Sequence, residues 1–452
     1  MDLMSPTDAV FLMTESREHP MHVGGLQLFE PPEGAGGEFA RETYEALIAH
    51  RDMQPTFRKR PARLFGGIGN IGWAYDDEDD IDVGYHVRRS ALPSPGRVRD
   101  LLEMTSLLHG TLLDRHRPLW EAHLVEGLSD GRFALYTKFH HALIDGVSAV
   151  KLMQRSLSTD PHDPEVGAIW NLPRRRRSGG PSRLQTLTQT AKSIAGLGSS
   201  TWSLARAALV EQQLTLPFSA PRTMLNVRIG GARRCAAQSW SLDRIKNIKH
   251  AAGVTVNDVV LAMCAGALRY YLLDQHALPD TPLVAMVPVS LRTKEEADSG
   301  GNMVGSILCN LATDVEDPAK RLETISESMR GNKKVFSELP RLHAFALSAF
   351  LIAPLGLTAI PGFVSSAPPP FNIVISNVPG PTEPMYWGGA RLDGNYPLSI
   401  ALDGQALNIT VVNNAGNIDF GLVGCRRSVP HLQQLLGHLE TSLKDLERAA
   451  GV

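Results

Sequence analysis

The stretch Lys138–Val150, KFHHALIDGVSAV, decides how the first half of the chain is organised. It continues the run that starts at Phe133, in which side chains alternate with the period of two that is typical of a β-strand. Asp145 then stands where a helix N-cap belongs, and apolar residues recur after it at helical spacing. The pattern predicts a strand that ends near His141 and a helix that begins after Asp145.

The turn between the two elements carries a histidine pair, His140 and His141. The carboxyl end of a strand is where α/β proteins tend to place groups that contact ligands. A purely structural interpretation has Asp145 as a helix cap, Gly146 as a turn residue and the histidines as satisfied side chains. A metal site at His141 and Asp145 lacks an evident third ligand, so we expect no metal.

Two catalytic interpretations also fit the turn. In one, His140 is a base that forms a dyad with Asp145. In the other, His141 is a single general base and Asp145 is structural. A histidine with a pKa near 6.5 is suited to taking a proton from an alcohol. The chain has no G-x-S-x-G sequence, which weakens the hydrolase alternative.

Composition describes a globular protein. The 452 residues suffice for two or three domains. Apolar residues make up 43% of the chain and charged residues 20%, proportions that are typical of globular proteins with hydrophobic cores. A net charge of −2 gives no electrostatic support for a nucleic-acid partner. The cysteines lack metal-ligand or redox spacing, and the N-terminus does not resemble a signal peptide, so we expect a cytoplasmic protein with core cysteines. The cysteines are Cys235, Cys264, Cys309 and Cys425.

Shifts in composition divide the chain into three segments. Residues 1–158 and 223–452 mix strand-like and helix-like patterns, and the Pro, Gly and Arg-rich residues 159–222 read as a linker with an amphipathic helix. Arg174–Arg177 is either a solvated run or a contact for phosphate groups. The uncharged Ala344–Val364 is interrupted by proline and glycine, so a core element or a lipid-facing surface fits better than a membrane span.

Several motifs resemble those of known acyltransferases. HHALIDG resembles the H-H-x-x-x-D-G signature of CoA-dependent acyltransferases, which include chloramphenicol acetyltransferase and peptide-synthetase condensation domains. A narrower resemblance, in order along nearly the whole chain, is to the bacterial wax ester synthase/diacylglycerol acyltransferase family. The stretches that carry it are LMSPTDAVFLMTES, HPMHVGGLQLFE, PLWEAHLVEGL, VNDVVLA, PVSLRT and SNVPGP.

The resemblance implies a fold and an activity. The fold would be two chloramphenicol-acetyltransferase-like α/β domains, each a mixed sheet flanked by helices. The activity would be transfer of a long-chain acyl group from acyl-CoA, a substrate rather than a cofactor, to diacylglycerol, without an acyl-enzyme. A wax ester synthase that uses fatty alcohol and a non-catalytic lipid-binding module are the alternatives. Peripheral attachment to a membrane or lipid droplet is also expected.

The resemblance also assigns roles to residues. His141 would be the general base. The chemistry of the transfer, which needs a donor for the developing oxyanion, separately suggests Asn257 as that donor or as an active-site brace, although an ordinary helix cap explains Asn257 equally well. Asp145 would be held by Arg292. His140 and Gly146 would shape the site, and further residues would line or support the substrate tunnel: Pro118, Leu119, Trp120, Asp258, Asn377, Pro379 and Gly380. A core position explains Trp120 at least as well, and a purely structural turn explains SNVPGP equally well. Asn413–Asn414 departs from the Ser-Tyr pair common in the family.

Overall fold

The computed structural model describes residues 2–62, 72–172, 215, 217–290, 304–338, 347 and 363–452. Within these ranges the chain forms two six-stranded mixed sheets flanked by helices and one small three-stranded sheet, which confirms the predicted α/β class. The strands are β1 (Asp2–Leu3), β2 (His22–Glu30), β3 (Lys59–Ala62), β4 (Gly72–Tyr75), β5 (Val87–Ala91), β6 (Trp120–Glu126), β7 (Phe133–His140), β8 (Arg233–Ser241), β9 (Val284–Ser290), β10 (Val304–Asn310), β11 (Ile373–Val378), β12 (Tyr386–Trp387), β13 (Ala390–Leu398), β14 (Leu407–Asn414) and β15 (Asn417–Cys425).

The helices surround the sheets. They are α1 (Pro6–Thr14), α2 (Phe39–Ala49), α3 (Val83–His86), α4 (Val98–Gly110), α5 (Gly146–Arg155), α6 (Leu242–Ala252), α7 (Val256–Asp274), α8 (Pro318–Glu338), α9 (Phe363–Ser366) and α10 (Gln434–Ala450), with short 3₁₀ turns at Pro55–Arg58 and Glu78–Asp80. The four cysteines are free and buried, as their isolated positions predicted.

The first large sheet has the strand order β12-β13-β2-β7-β6-β5. Neighbours are antiparallel except β5 and β6, which run parallel. Every residue of β7 is buried, because helices and the second half of the chain cover both faces of this sheet. The two strands β12 and β13 come from the last quarter of the sequence, so the sheet is completed by chain that the sequence assigns to the C-terminal segment.

The second large sheet has the order β10-β9-β11-β14-β15-β8, with a parallel centre of β9, β11 and β14. Its core includes α7, which packs against α6, α8 and α10. Helix α7 is apolar enough and long enough to cross a membrane. Most of it, however, is buried inside the protein. Helix α7 is therefore placed as the core helix of a globular protein would be.

The predicted turn at the end of β7 is confirmed. Strand β7 ends at His140, and α5 begins at Gly146 with Asp145 as its N-cap. The carboxylate of Asp145 accepts from the Ser148 N–H at 2.9 Å and from the Ser148 hydroxyl at 2.9 Å. The helix starts here because Asp145 satisfies a free backbone N–H of the first turn.

Some sequence-based expectations fall on other parts of the chain. The Arg174–Arg177 run, the amphipathic stretch at 184–213 and Arg292 lie outside the described residues, as does most of Ala344–Val364. The three-segment division at 158/159 and 222/223 stays a prediction.

Candidate active site

A cavity of about 900 Å³ opens beside the histidine pair. It lies between the two large sheets, because His141 and α5 form one wall and β9, β11 and β14 form another. Most lining side chains are apolar, and serine, threonine and asparagine side chains supply scattered polar atoms. Such a largely apolar space suits a hydrophobic chain.

His141 reaches this cavity from the end of β7. Its backbone N–H donates to the Met21 carbonyl at 2.8 Å, and its ring stacks on Phe11 with 4.1 Å between centroids. Burial lowers the pKa of the imidazole to about 4, although the nearby Asp145 carboxylate opposes that shift. His141 is therefore neutral at physiological pH, packed against Phe11 and able to accept a proton.

His140 points away from the cavity into the protein and is fully buried. Its Nδ1 accepts from the Ala142 N–H at 3.1 Å, and its Nε2 lies 3.3 Å from Glu15 Oε1. The partner of His140 is thus Glu15 and not Asp145, so the structure gives no support to a His140–Asp145 dyad. Glu15 had no assigned role in the sequence, because only the fold brings it to a residue 125 positions later.

Asp145 and Gly146 line the same cavity. Asp145 caps α5, as described above, which agrees with its predicted structural role. A Cβ at Gly146 would meet only Val23 Cγ1, at 4.0 Å, so no crowding in the free protein demands glycine there. Gly146 instead leaves open space beside His141.

Asn257 and Asn377 bring two of the sequence motifs together. Asn377, in β11, donates from Nδ2 to Asn257 Oδ1 over 3.3 Å. Asp258 completes a capping box with Thr255, whose N–H it accepts at 2.9 Å, and it also accepts from the Ser326 hydroxyl at 3.4 Å. Neither Asn257 nor Asp258 is among the described residues that line the His141 cavity. Their roles in catalysis and substrate binding stay predictions.

The SNVPGP segment fixes the chain beside β14. A Cβ at Gly380 would lie 2.1 Å from the Asn413 carbonyl oxygen and 2.5 Å from Val412 Cγ2, so only glycine permits this approach. Pro379 is exposed and Gly380 half-buried. Asn414, in the pair that departs from the family pattern, is buried and donates to Asp419 Oδ2 at 3.0 Å.

The Pro118–Trp120 segment lies behind the histidine pair. Leu119 is buried, and its carbonyl accepts from the His140 N–H at 3.0 Å. Trp120 is also buried, donates to the Phe57 carbonyl at 2.9 Å and stacks on His86. None of the three residues is among the described residues that line the His141 cavity. The structure shows them supporting β7, and their predicted place in a tunnel is untested.

A buried polar layer, which the sequence patterns do not predict, continues from His140 under the first sheet. The Lys138 ammonium donates to the Leu108 and Thr111 carbonyls at 3.1 and 3.0 Å. His22, which pairs with His140 across β2 and β7, donates to the His109 carbonyl at 2.7 Å. Burial lowers the pKa of His22 well below its usual value and that of His109 to about 3. The layer links the histidine pair to the C-terminal end of α4.

The described ranges contain no group of three or more His, Cys, Asp or Glu side chains placed to hold a metal ion. His141 and Asp145 alone would leave such an ion with too few protein ligands.

The chain matches two family models. The wax ester synthase/diacylglycerol acyltransferase catalytic domain matches residues 4–260, and the C-terminal domain of the same family matches residues 300–447. It is 72% identical over 456 residues, with full coverage of both chains, to a protein of Mycobacterium tuberculosis named as a probable diacylglycerol O-acyltransferase, tgs2.

Solved structures agree with this. A wax ester synthase/diacylglycerol acyltransferase from Marinobacter aquaeolei VT8 is 41% identical and superposes over 100% of both chains with a TM-score of 0.79. The first condensation domain of the CDA synthetase, 16% identical with a TM-score of 0.60 over 99% of this chain and 96% of its own, shares the fold alone. The predicted fold class and family are both confirmed. The chain belongs to the wax ester synthase/diacylglycerol acyltransferase family of enzymes.

Proposed function

We propose that this protein transfers a long-chain fatty acyl group from acyl-CoA to diacylglycerol, with His141 as the general base. The observation that carries the proposal is a neutral histidine, held by Met21 and Phe11, that faces an apolar cavity of about 900 Å³. Diacylglycerol is the preferred acceptor in this proposal because the 72% identical relative is named for that reaction.

The reaction needs little more than this arrangement. A thioester is already activated, so the acceptor hydroxyl needs a base and the two substrates need alignment. His141 takes the hydroxyl proton as the oxygen attacks the thioester carbonyl. The carbon–sulfur bond then breaks, and the imidazolium returns the proton to the CoA sulfur. Burial favours the neutral form of His141 and so drives this return.

Direct transfer without an acyl-enzyme is part of the proposal. No cysteine is among the described residues that line the cavity, and the four cysteines are buried elsewhere. Acyl-CoA acts as a substrate, and the reaction as written calls for no bound cofactor or metal. The protein would work in the cytoplasm at the surface of a membrane or lipid droplet, where its acceptor is found.

The proposal is tested by thiol release from palmitoyl-CoA with purified protein, in the presence of diacylglycerol, hexadecanol or no acceptor. We expect thiol and triacylglycerol to appear together and to depend on diacylglycerol, with intact-protein mass unchanged when acceptor is left out. Preference for hexadecanol would make the protein a wax ester synthase. An acyl adduct on the protein would contradict direct transfer. Lipid binding without thiol release would instead indicate a non-catalytic lipid-binding module.

A further inference from the structure

A second cleft, of about 770 Å³, lies between the end of α4 and the start of β8. The charged side chains that line it are Arg17, Arg233, Arg234, Arg426 and Glu103. The single carboxylate is already engaged, because Glu103 pairs with Arg99 at 3.1 Å. The cleft therefore concentrates positive charge in a protein whose net charge is −2.

The arginines differ in what they do within the protein. Arg233 is 5% exposed and donates to the Glu18 carbonyl at 2.7 Å and to the Ala401 carbonyl at 3.4 Å. Its role in the cleft is therefore structural. Arg234 donates to Gln433 over 3.4 Å. Arg17 and Arg426 are exposed, and their side chains have no hydrogen-bond or ion-pair partner among the described residues. Two guanidinium groups thus remain available to a ligand.

Two short segments of the chain connect the cleft to the surroundings of His140. Arg17 follows Glu15, the partner of His140, by two residues, a span of at most about 7 Å of chain. Gly110 and Thr111, on the opposite wall, end the helix whose carbonyls accept from His22 and Lys138. The cleft is therefore connected to His140 through Glu15 on one wall and through the end of α4 on the other.

We propose that this cleft binds the phosphate groups of the CoA part of the acyl-CoA substrate, an inference that rests on the proposed function. Among the substrates, acyl-CoA carries phosphates, whereas diacylglycerol and fatty alcohols are neutral. Guanidinium groups suit phosphate because their N–H groups form paired, charge-assisted hydrogen bonds. The His141 cavity is a poor alternative, since its charged lining residues are two carboxylates, Asp8 and Asp145, and one ammonium, Lys59.

The test is calorimetric titration of the full-length protein with CoA, a measurement that does not depend on catalysis. The variant Arg17→Gln/Arg426→Gln leaves the buried Arg233 in place. Arg41→Gln/Arg448→Gln is the matched control, because it removes the same charge from side chains that are 44% and 76% exposed outside the cleft. We expect the Kd for CoA to rise roughly tenfold in the cleft variant and to stay unchanged in the control.

Flotation with phosphatidylglycerol vesicles forms the second arm, since an anionic lipid headgroup offers the same phosphate chemistry. An unchanged Kd for CoA, or a loss confined to vesicle binding, would overturn the inference. The two proposals fail separately. If CoA binding depends on the two arginines but no ester is formed, only the proposed function is contradicted. If ester is formed but CoA binding does not depend on either arginine, only the proposed phosphate site is contradicted.

Discussion

Glu15→Ala is expected to destabilise the protein more than any change of an exposed carboxylate. The Glu15 side chain is 1% exposed and accepts from Arg115 at 2.8 and 2.9 Å and from the Met21 N–H at 3.2 Å, while His140 Nε2 lies 3.3 Å away. Removing one partner of a buried ion pair costs about 3–5 kcal/mol. Arg115 is one-third exposed and can regain water, so we expect about 3 kcal/mol.

Urea unfolding of Glu15→Ala beside Glu33→Ala, an exposed loop carboxylate, measures this difference. Burial would raise the pKa of Glu15, but His140, Arg115 and the Met21 N–H outweigh it and lower that pKa. The carboxylate therefore stabilises the fold above its ordinary pKa of 4.5, and the difference between the two variants should shrink as the pH falls below that value. Equal stability of the two variants at pH 7 would refute the reasoning.

Three further predictions follow from the same geometry. Gly380→Ala must push the Asn413 carbonyl aside and should lower stability by about 1–3 kcal/mol in thermal melts, whereas Gly437→Ala, which meets no atom within 4 Å, should not. Asp145→Ala should cost about 1 kcal/mol of stability by removing the cap of α5, and no loss would argue against the capping role. Because the pKa of His141 is lowered to about 4, kcat/KM should hold through pH 6.5 and fall only toward pH 4; an inflection near 6.5 would contradict a neutral His141.

The sequence was most informative where local chemistry decides local structure. The period-two pattern before His140 and the cap at Asp145 predicted β7 and α5 because strand alternation and N-capping depend on neighbours within a few residues. The family resemblance then supplied the fold and the proposed role of His141 as general base, a role that spacing alone leaves open between several interpretations.

Contacts between distant parts of the chain could not be predicted in this way. The pairing of β13 with β2 and the contact of Glu15 with His140 are set by tertiary packing. Trp120 shows the same limit. Its sequence context fitted a tunnel wall or a core equally well, and only its burial against His86 shows how it packs.

The most direct test of the central claim compares ester formation from palmitoyl-CoA and diacylglycerol by wild type, His141→Ala and His116→Ala. His116 is 97% exposed and serves as the matched histidine control. We predict that His141→Ala loses about 10²–10⁴-fold in rate while still binding CoA, and that His116→Ala keeps the wild-type rate. A His141→Ala protein that forms ester at the wild-type rate would contradict the assignment of His141 as the base.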